Sequence, residues 1–226
     1  GRVRFRFEPL DLDGLKRAIE FCKSESIPYF VVGSGSNILF RDTYLDAMII
    51  HLDSGYFRKI ELSGMIIKAG AGVKLVELFD FALRNGFRGL EFLAGIPGTV
   101  GGGIFMNAGS KDKSLGSFVT KVTVLDKFGK ESEIENTRLK FGNRTSNLTD
   151  SIILGAYFLL EKGDTKESGI LYKKYLEEKL MSQELVIPSA GCIFKNPPQD
   201  SAGRLIELSG LKGKRVNDAM ISSKHA

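Results

Sequence analysis

Two glycine-rich segments constrain the fold of this chain more than any other feature of its sequence. Loop 1 (residues 33–37) reads Gly-Ser-Gly-Ser-Asn and directly follows the apolar run 29–32. Loop 2 (residues 95–103) is more than half glycine, yet apolar residues are threaded through it, which a flexible linker would lack. Glycine lets the main chain approach a ligand closely, and successive amide groups in such turns bind anions. Both loops are therefore candidate phosphate-binding segments, although close packing of two backbones, or a plain turn in loop 1, would produce similar compositions.

Neither loop matches the standard nucleotide-binding motifs. A G-x-G-x-x-G fingerprint that starts at Gly33 would need glycine where Ile38 stands, and a helix should follow, whereas Arg41-Asp42 is typical of a loop. Neither loop carries the lysine of a P-loop. Two such loops without that lysine favour a dinucleotide over a nucleoside triphosphate.

Helices and strands are mixed without regular βαβ alternation, which indicates an α+β fold. Apolar spacing predicts helices over residues 11–25, 73–85 and 167–182, and the first of these places Cys22 in the core. The charged helix 167–182 is expected to present a solvated face and to mark a domain boundary. Short apolar runs predict strands over residues 29–32, 48–50, 57–62, 65–69, 118–126, 131–135 and 152–160, with a turn at 127–130.

The amino-acid composition indicates which kinds of partner to expect. The chain has 226 residues, a net charge of +5 and 42% hydrophobic residues, which is typical of a soluble globular protein. Its basic residues are scattered, so we expect no nucleic-acid partner. The sequence shows no apolar run long enough to span a membrane and no secretory signal, and Cys22 and Cys192 form no disulfide framework, so we expect a cytoplasmic protein. Neither His51 nor His225 has metal-ligand neighbours, so no metal is expected.

Longer segments around both loops resemble one family. Residues 32–39 and 90–102 resemble the two flavin loops of the UDP-N-acetylenolpyruvoylglucosamine reductases, and residues 188–197 resemble that family's catalytic segment. The resemblance extends in order over nearly the whole chain. It implies an FAD-binding domain of the vanillyl-alcohol-oxidase (PCMH-like) type over residues 1–165, with subdomains at about 1–52 and 53–165. A smaller C-terminal α+β substrate-binding domain would occupy residues 166–226.

The resemblance also implies a reaction and a set of cofactor ligands. NADPH would supply hydride, through FAD, to the enolpyruvyl group of a UDP-sugar in peptidoglycan synthesis, and the enzyme is expected to be a monomer. The residues that the resemblance assigns to the cofactor are Val32, Gly33, Ser34, Gly35, Ser36, Asn37, Ile38, Gly95, Ile96, Pro97, Gly98, Thr99, Gly101, Gly102, Asn107, Ala108 and Gly109.

Arg144 and Cys192 match the catalytic positions of the family. The guanidinium of Arg144 would grip the carboxylate of the developing enolate, and Cys192 would donate the proton in place of the serine that most members carry. A thiol is a stronger acid than a serine hydroxyl and can fill that role, although an inert thiol and a surface arginine remain the alternatives. Asn143 stands where the family usually has tyrosine, and the spacing of 48 residues from Arg144 to Cys192 resembles the family's second type.

Substrate contacts are expected from Lys195, Asn196 and Arg204, unless these are plain surface residues. The third catalytic residue of the family, a glutamate, would lie beyond Ala226, and the chain is expected to be trimmed at both ends. Two other functions stay open from the residues alone. One is a different FAD oxidoreductase of the same fold, and the other is a flavin-binding module without catalysis.

Overall fold

The computed structural model describes residues 1–110, 113–183 and 188–226. Within these residues the fold mixes helices with mainly antiparallel strands, as the predicted α+β class requires. The helices are α1 (Leu12–Ser24), α2 (Leu75–Arg84), α3 (Val100–Phe105), α4 (Thr165–Ser182) and α5 (Ala202–Leu208). The strands are β1 (Val3–Phe7), β2 (Tyr29–Val31), β3 (Leu45–Ile50), β4 (Ile60–Ser63), β5 (Ile66–Gly70), β6 (Phe87–Arg88), β7 (Gly109–Ser110), β8 (Lys113–Ser114), β9 (Val119–Asp126), β10 (Glu131–Glu135), β11 (Phe141–Gly142), β12 (Thr145–Ser146), β13 (Ser151–Leu159), β14 (Glu161–Lys162), β15 (Arg215–Val216) and β16 (Ala219–Met220).

The N-terminal layer is a parallel sheet of strand order β1-β3-β2, covered by α1. The carboxylate of Asp11 accepts a hydrogen bond from the Gly14 amide at 2.7 Å and caps the start of α1. Cys22 is buried on the inner face of this helix, and its sulfur lies 3.6 Å from that of Met48 in β3. The predicted helix and the core position of Cys22 are confirmed.

The second layer is an antiparallel sheet of strand order β10-β9-β13-β5-β4. Alternating side chains of its central strands, such as Ile67, Val122 and Ala156, are fully buried. The predicted turn between β9 and β10 forms because the Asp126 carboxylate accepts from the amide groups of Phe128 and Lys130. The sequence placed a strand over residues 57–62, but β4 begins only at Ile60 because the chain first makes a hydrogen-bonded turn at 54–57.

Helices α2 and α4 pack against each other. Gly86 has φ +74 directly after the C-cap of α2, a left-handed conformation that glycine adopts readily at this position. The ring of Tyr172 in α4 stacks on that of Phe79 in α2, with 4.0 Å between ring centroids. The division of the chain at residue 165 stays a prediction. Among the described residues, no helix has the length and apolar character that crossing a bilayer requires.

Helix α3 was not anticipated from the sequence. Half of its residues are glycine, and glycine is a poor helix former, so propensity argues against it. The side chain of Thr99 caps its start, and the amide groups of Val100 and Gly101 donate to the carbonyls of Val73 and Ala71, which lie before α2 in the chain. Tertiary contacts thus hold a helix that local sequence would not form.

Candidate active site

Loop 1 presents a row of free main-chain amide groups. The Val32 amide still donates to the Ile50 carbonyl at 2.9 Å, which ends the pairing of β2 with β3. Beyond it, the amide groups of residues 33–37 have no acceptor in the part of the chain that the structure describes. Gly35 has φ +72 with open space beside it. Consecutive free N–H groups in such a turn form an anion-binding concavity.

Loop 2 lies directly against loop 1. The Ser36 hydroxyl donates to the Pro97 carbonyl at 3.2 Å. A Cβ atom at Gly33 would lie 2.6 Å from Oγ1 of Thr99, closer than a carbon and an oxygen can approach. The absence of a side chain at Gly33 therefore lets the two loops form one continuous wall.

The N-terminus of α3 contributes little to anion binding, although it lies within loop 2. Its first two amide groups are engaged, since Val100 donates to Val73 at 2.8 Å and Gly101 donates to Ala71 at 2.9 Å. Among the described atoms, the amide of Thr99 has no acceptor. A diphosphate against this wall would accordingly be held by loop 1 and the edge of loop 2, rather than by the helix end.

Two ionisable side chains flank loop 1. Nζ of Lys74 lies 3.3 Å from the Ser34 hydroxyl, which places a positive charge beside the free amides. Nε2 of His51 lies 2.8 Å from the Gly33 carbonyl, so this nitrogen carries the proton and donates it. His51 thus follows a strand and buttresses loop 1, and Lys74 is a site residue that the sequence analysis missed.

The predicted cofactor residues 107–109 pack against protein. Both polar atoms of the Asn107 side chain bond to main-chain groups, the Gly116 amide and the Gly142 carbonyl, each at 3.0 Å. The Ala108 amide donates to the Gly103 carbonyl at 2.7 Å. These residues shape the floor behind loop 2, and their assignment to the cofactor remains a prediction.

Arg144 lies at the tip of the β11–β12 hairpin. Only Asn143 and Arg144 connect the two strands, and Arg144 has φ +55, in the left-handed region that long side chains rarely adopt. Such backbone strain concentrates at functional sites.

Lys179 in α4 is a second cation near Arg144 that the sequence analysis did not single out. Its Nζ donates to the carbonyl of Ala94, just before loop 2, at 3.3 Å. Burial lowers the pKa of Lys179, and the positive charge of Arg144 lowers it further. Both Ala94 and Lys179 line a cavity of about 120 Å³. A partly desolvated ammonium at such a cavity is suited to hold an anion.

One face of α4 carries the contacts that place Lys179. Ser168, Tyr172, Tyr175 and Lys179 recur at i, i+4, i+7 and i+11, which puts them on one side of a helix. The Ser168 hydroxyl donates to the buried carboxylate of Glu91. This periodic stripe of polar and aromatic residues was the signal in the sequence that could have identified Lys179.

The predicted C-terminal site residues lie in an exposed segment. Cys192 is exposed, and no hydrogen bond joins it to Arg144 among the described residues. Asn196 accepts from the Ala202 amide at the start of α5. The guanidinium of Arg204 pairs with Asp200 through two hydrogen bonds, which raises the pKa of the arginine and lowers that of the carboxyl. No cluster of His, Cys, Asp and Glu that could hold a metal occurs in the described ranges.

Comparison with known proteins shows the general class of this protein. Residues 4–135 match the profile of the FAD binding domain, and residues 182–226 match that of the UDP-N-acetylenolpyruvoylglucosamine reductase C-terminal domain. A glucose dehydrogenase, Phl p 4.0202, shares the fold at a TM-score of 0.56, with 16% identity over 73% of this chain and 36% of its own. The protein is therefore an FAD-binding protein.

The family follows from closer relatives. The UDP-N-acetylenolpyruvoylglucosamine reductase of Desulforamulus reducens is 38% identical over 229 aligned positions, which cover 100% of this chain and 75% of the relative. The crystal structure of the Thermus caldophilus reductase superposes with a TM-score of 0.86 at 37% identity, over 97% of this chain and 78% of that one. The chain belongs to the UDP-N-acetylenolpyruvoylglucosamine reductase family, FAD-dependent oxidoreductases of peptidoglycan precursor synthesis.

Proposed function

We propose that this chain reduces UDP-N-acetylglucosamine enolpyruvate to UDP-N-acetylmuramate, with NADPH as reductant and FAD as cofactor. The observation that carries the proposal is that one short segment, residues 95–107, contacts both loop 1 and the hairpin that bears Arg144. Loop 1, with its free amides, lies against loop 2, and α3, which begins within loop 2, bonds through its C-terminal end to the hairpin that bears Arg144.

The residues of loops 1 and 2 fit a flavin dinucleotide. The amide groups of residues 33–37, with that of Thr99, would hold the diphosphate, and Lys74 would balance its charge. No atom lies within 4 Å of the position that a Cβ atom would take at Gly35, which leaves room for the ligand there. FAD, when bound, supplies the relay that accepts hydride from NADPH and delivers it to the substrate.

Arg144 and Lys179 supply the positive charge that the reaction needs. Negative charge develops on the enolpyruvyl group when hydride is added, next to a carboxylate that is already charged. A guanidinium can hold that carboxylate through two parallel hydrogen bonds, and a partly buried ammonium strengthens the local potential. We assign Arg144 to the carboxylate and Lys179 to a phosphate of the UDP-sugar.

Cys192 is the proposed proton donor to the second enolpyruvyl carbon. It is exposed and therefore accessible to a substrate. Lys195, Asn196 and Arg204 lie in the same C-terminal part and are proposed substrate contacts, although Arg204 would have to exchange its Asp200 partner for the substrate. We also propose that the enzyme acts in the cytoplasm as a monomer.

Substrate-dependent oxidation of NADPH tests the function. Purified protein loaded with FAD is expected to consume NADPH only when the enolpyruvyl UDP-sugar is added, and Arg144→Lys should lower kcat by about 100-fold or more. Arg138→Lys is the matched control, because Arg138 lies in a short 3₁₀ turn before the same hairpin and should leave kcat unchanged. NADPH oxidation at the same rate with and without the UDP-sugar would indicate a different oxidoreductase of this fold. No NADPH oxidation under either condition would indicate a non-catalytic module.

A further inference from the structure

Both strands of the hairpin that carries Arg144 are attached to the C-terminal end of α3. In β11, the Gly142 carbonyl accepts a hydrogen bond from Nδ2 of Asn107 at 3.0 Å. In β12, Oγ of Ser146 donates to the carbonyl of Phe105 at 2.9 Å. Ser146 is buried, so water does not compete for this bond. One short helix end is thereby bonded to both strands that flank Arg144.

Asn107 is held rigidly enough to serve as such an attachment. Its Oδ1 accepts from the Gly116 amide at 3.0 Å, so both polar atoms of its side chain are bonded within the protein. Its amide donates to Ile104, and that of Ala108 donates to Gly103, which are the two bonds of a Schellman motif. Asn107 is the residue after the C-cap of α3, and it takes the left-handed φ of +44 that this motif requires there.

The strained backbone of Arg144 needs such support. A non-glycine residue at φ +55 persists only where the surrounding structure determines its conformation. The connection between β11 and β12 is too short to do this by itself, because it consists of Asn143 and Arg144 alone. The two bonds to the end of α3 therefore fix the hairpin, and α3 in turn begins within loop 2, at Val100.

We propose that Asn107 and Ser146 are positioning residues that set Arg144 at a fixed place relative to loop 2. The inference rests on the proposed function, since it assigns these residues to the reaction in which Arg144 acts. It also replaces the cofactor-binding role that sequence resemblance suggested for Asn107. A ligand role and a positioning role make different predictions for the affinity for FAD.

Two variants test the proposal independently. Asn107→Gly keeps the left-handed backbone without strain and removes both side-chain bonds, and Ser146→Ala removes only the hydroxyl. Each should lower kcat by about 10- to 100-fold, because a displacement of about 1 Å in a catalytic group costs this much. The Kd for FAD, measured by flavin fluorescence, should stay within about twofold of wild type, since neither side chain contacts the cofactor in this account. If Asn107→Gly fails to fold, Ser146→Ala decides alone.

Asn147→Ala is the matched control. The Asn147 side chain also bonds two main-chain groups, the Lys140 amide at 2.9 Å and the Arg138 carbonyl at 3.0 Å, but neither of these groups belongs to α3. This variant removes as many hydrogen bonds as Asn107→Gly, and its kcat should stay within about twofold of wild type. If Asn147→Ala lowers kcat as much as Asn107→Gly does, a general destabilisation of the hairpin explains the effect of both variants.

A double-mutant cycle shows whether Asn107 acts through Arg144. In the Arg144→Lys background, Asn107→Gly should change kcat by about twofold or less, because the group that it positions is already gone. Effects that multiply, or a weakened affinity for FAD in Asn107→Gly, would overturn the proposal. A wild-type protein without sugar-dependent NADPH oxidation would instead refute the proposed function.

Discussion

Gly33→Ala should open the wall between loops 1 and 2 and weaken FAD binding. The added methyl group would lie 2.6 Å from Oγ1 of Thr99 and 3.5 Å from its Cγ2, so one of the two residues must move. Thr99 is buried and caps α3 through the Gly102 amide, so rotating its side chain away would cost about 1 kcal/mol. Spreading the loops instead is an overpacking change, which typically costs about 1–3 kcal/mol.

This range sets the expected loss of affinity. Since about 1.4 kcal/mol corresponds to a tenfold change in an equilibrium constant, the Kd for FAD should rise about 5- to 100-fold. Titration of the apoprotein with FAD, followed by flavin fluorescence, measures it directly. The chain contains no tryptophan, so no indole interferes with the signal.

Two further variants make this experiment decisive. Gly55→Ala is the control, because Gly55 has an ordinary φ and no atom lies within 4 Å of the added carbon. Thr99→Ala removes the clashing atoms, so adding Gly33→Ala to it should weaken binding far less than in the wild-type background. A Gly33→Ala protein that binds FAD as tightly as Gly55→Ala would refute the reasoning that contact between the loops shapes the site.

The remaining predictions concern α4. Ser168→Ala leaves the buried Glu91 carboxylate without one of its donors, so it should lower the free energy of unfolding by about 1–3 kcal/mol in thermal or urea unfolding. Gly169→Ala is the control in the same helix. Its methyl group enters open space, so it should raise the free energy of unfolding by up to about 1 kcal/mol. An equal response of the two variants would contradict the buried contact. Lys179→Met should raise KM for the UDP-sugar by about tenfold or more, with a smaller effect on kcat, and an unchanged KM would exclude Lys179 from substrate binding. Because the pKa of Lys179 is lowered from 10.5, mainly by burial, the folded protein releases this proton before the unfolded chain does. The contribution of Lys179 to stability should therefore rise with pH between the folded and unfolded pKa values, while affinity for the substrate falls, and Lys179→Met should abolish both trends.

Regular elements with a local signal could be predicted from the sequence. Helix α1 has an apolar stripe that includes the buried Cys22, and both features follow from spacing alone. The turn at 127–130 could be predicted as well, because strand patterns flank it and Gly129 allows the left-handed φ of +80. In these segments local propensity and tertiary structure agree, which is why pattern reasoning succeeds.

Elements fixed by tertiary contacts could not be predicted in this way. The β11 and β12 strands are two residues long, and bonds to a helix distant in sequence hold them. Lys179 could be mistaken for part of a solvated face, because a search for apolar spacing ignores serine, tyrosine and lysine on the buried stripe. Which amide groups of loops 1 and 2 are free also depends on partners elsewhere in the chain.

The motifs in the sequence indicated the chemistry of the candidate site, but not the role of each residue in it. Resemblance alone assigned loop 2 and Asn107 to the cofactor as a set. In the structure, loop 1 has a longer row of free amides than loop 2, and Asn107 bonds the main chain beneath Arg144. A motif indicates which residues occur together in a family, whereas the hydrogen bonds in the structure show which group each residue contacts.

A crystal structure of the protein with FAD tests the central claim most directly. We expect the diphosphate oxygens to accept hydrogen bonds from the main-chain amides of residues 33–37, with loops 1 and 2 still in contact through Ser36 and Pro97. A diphosphate bound elsewhere, with the loop 1 amides facing solvent or other protein atoms, would contradict the account.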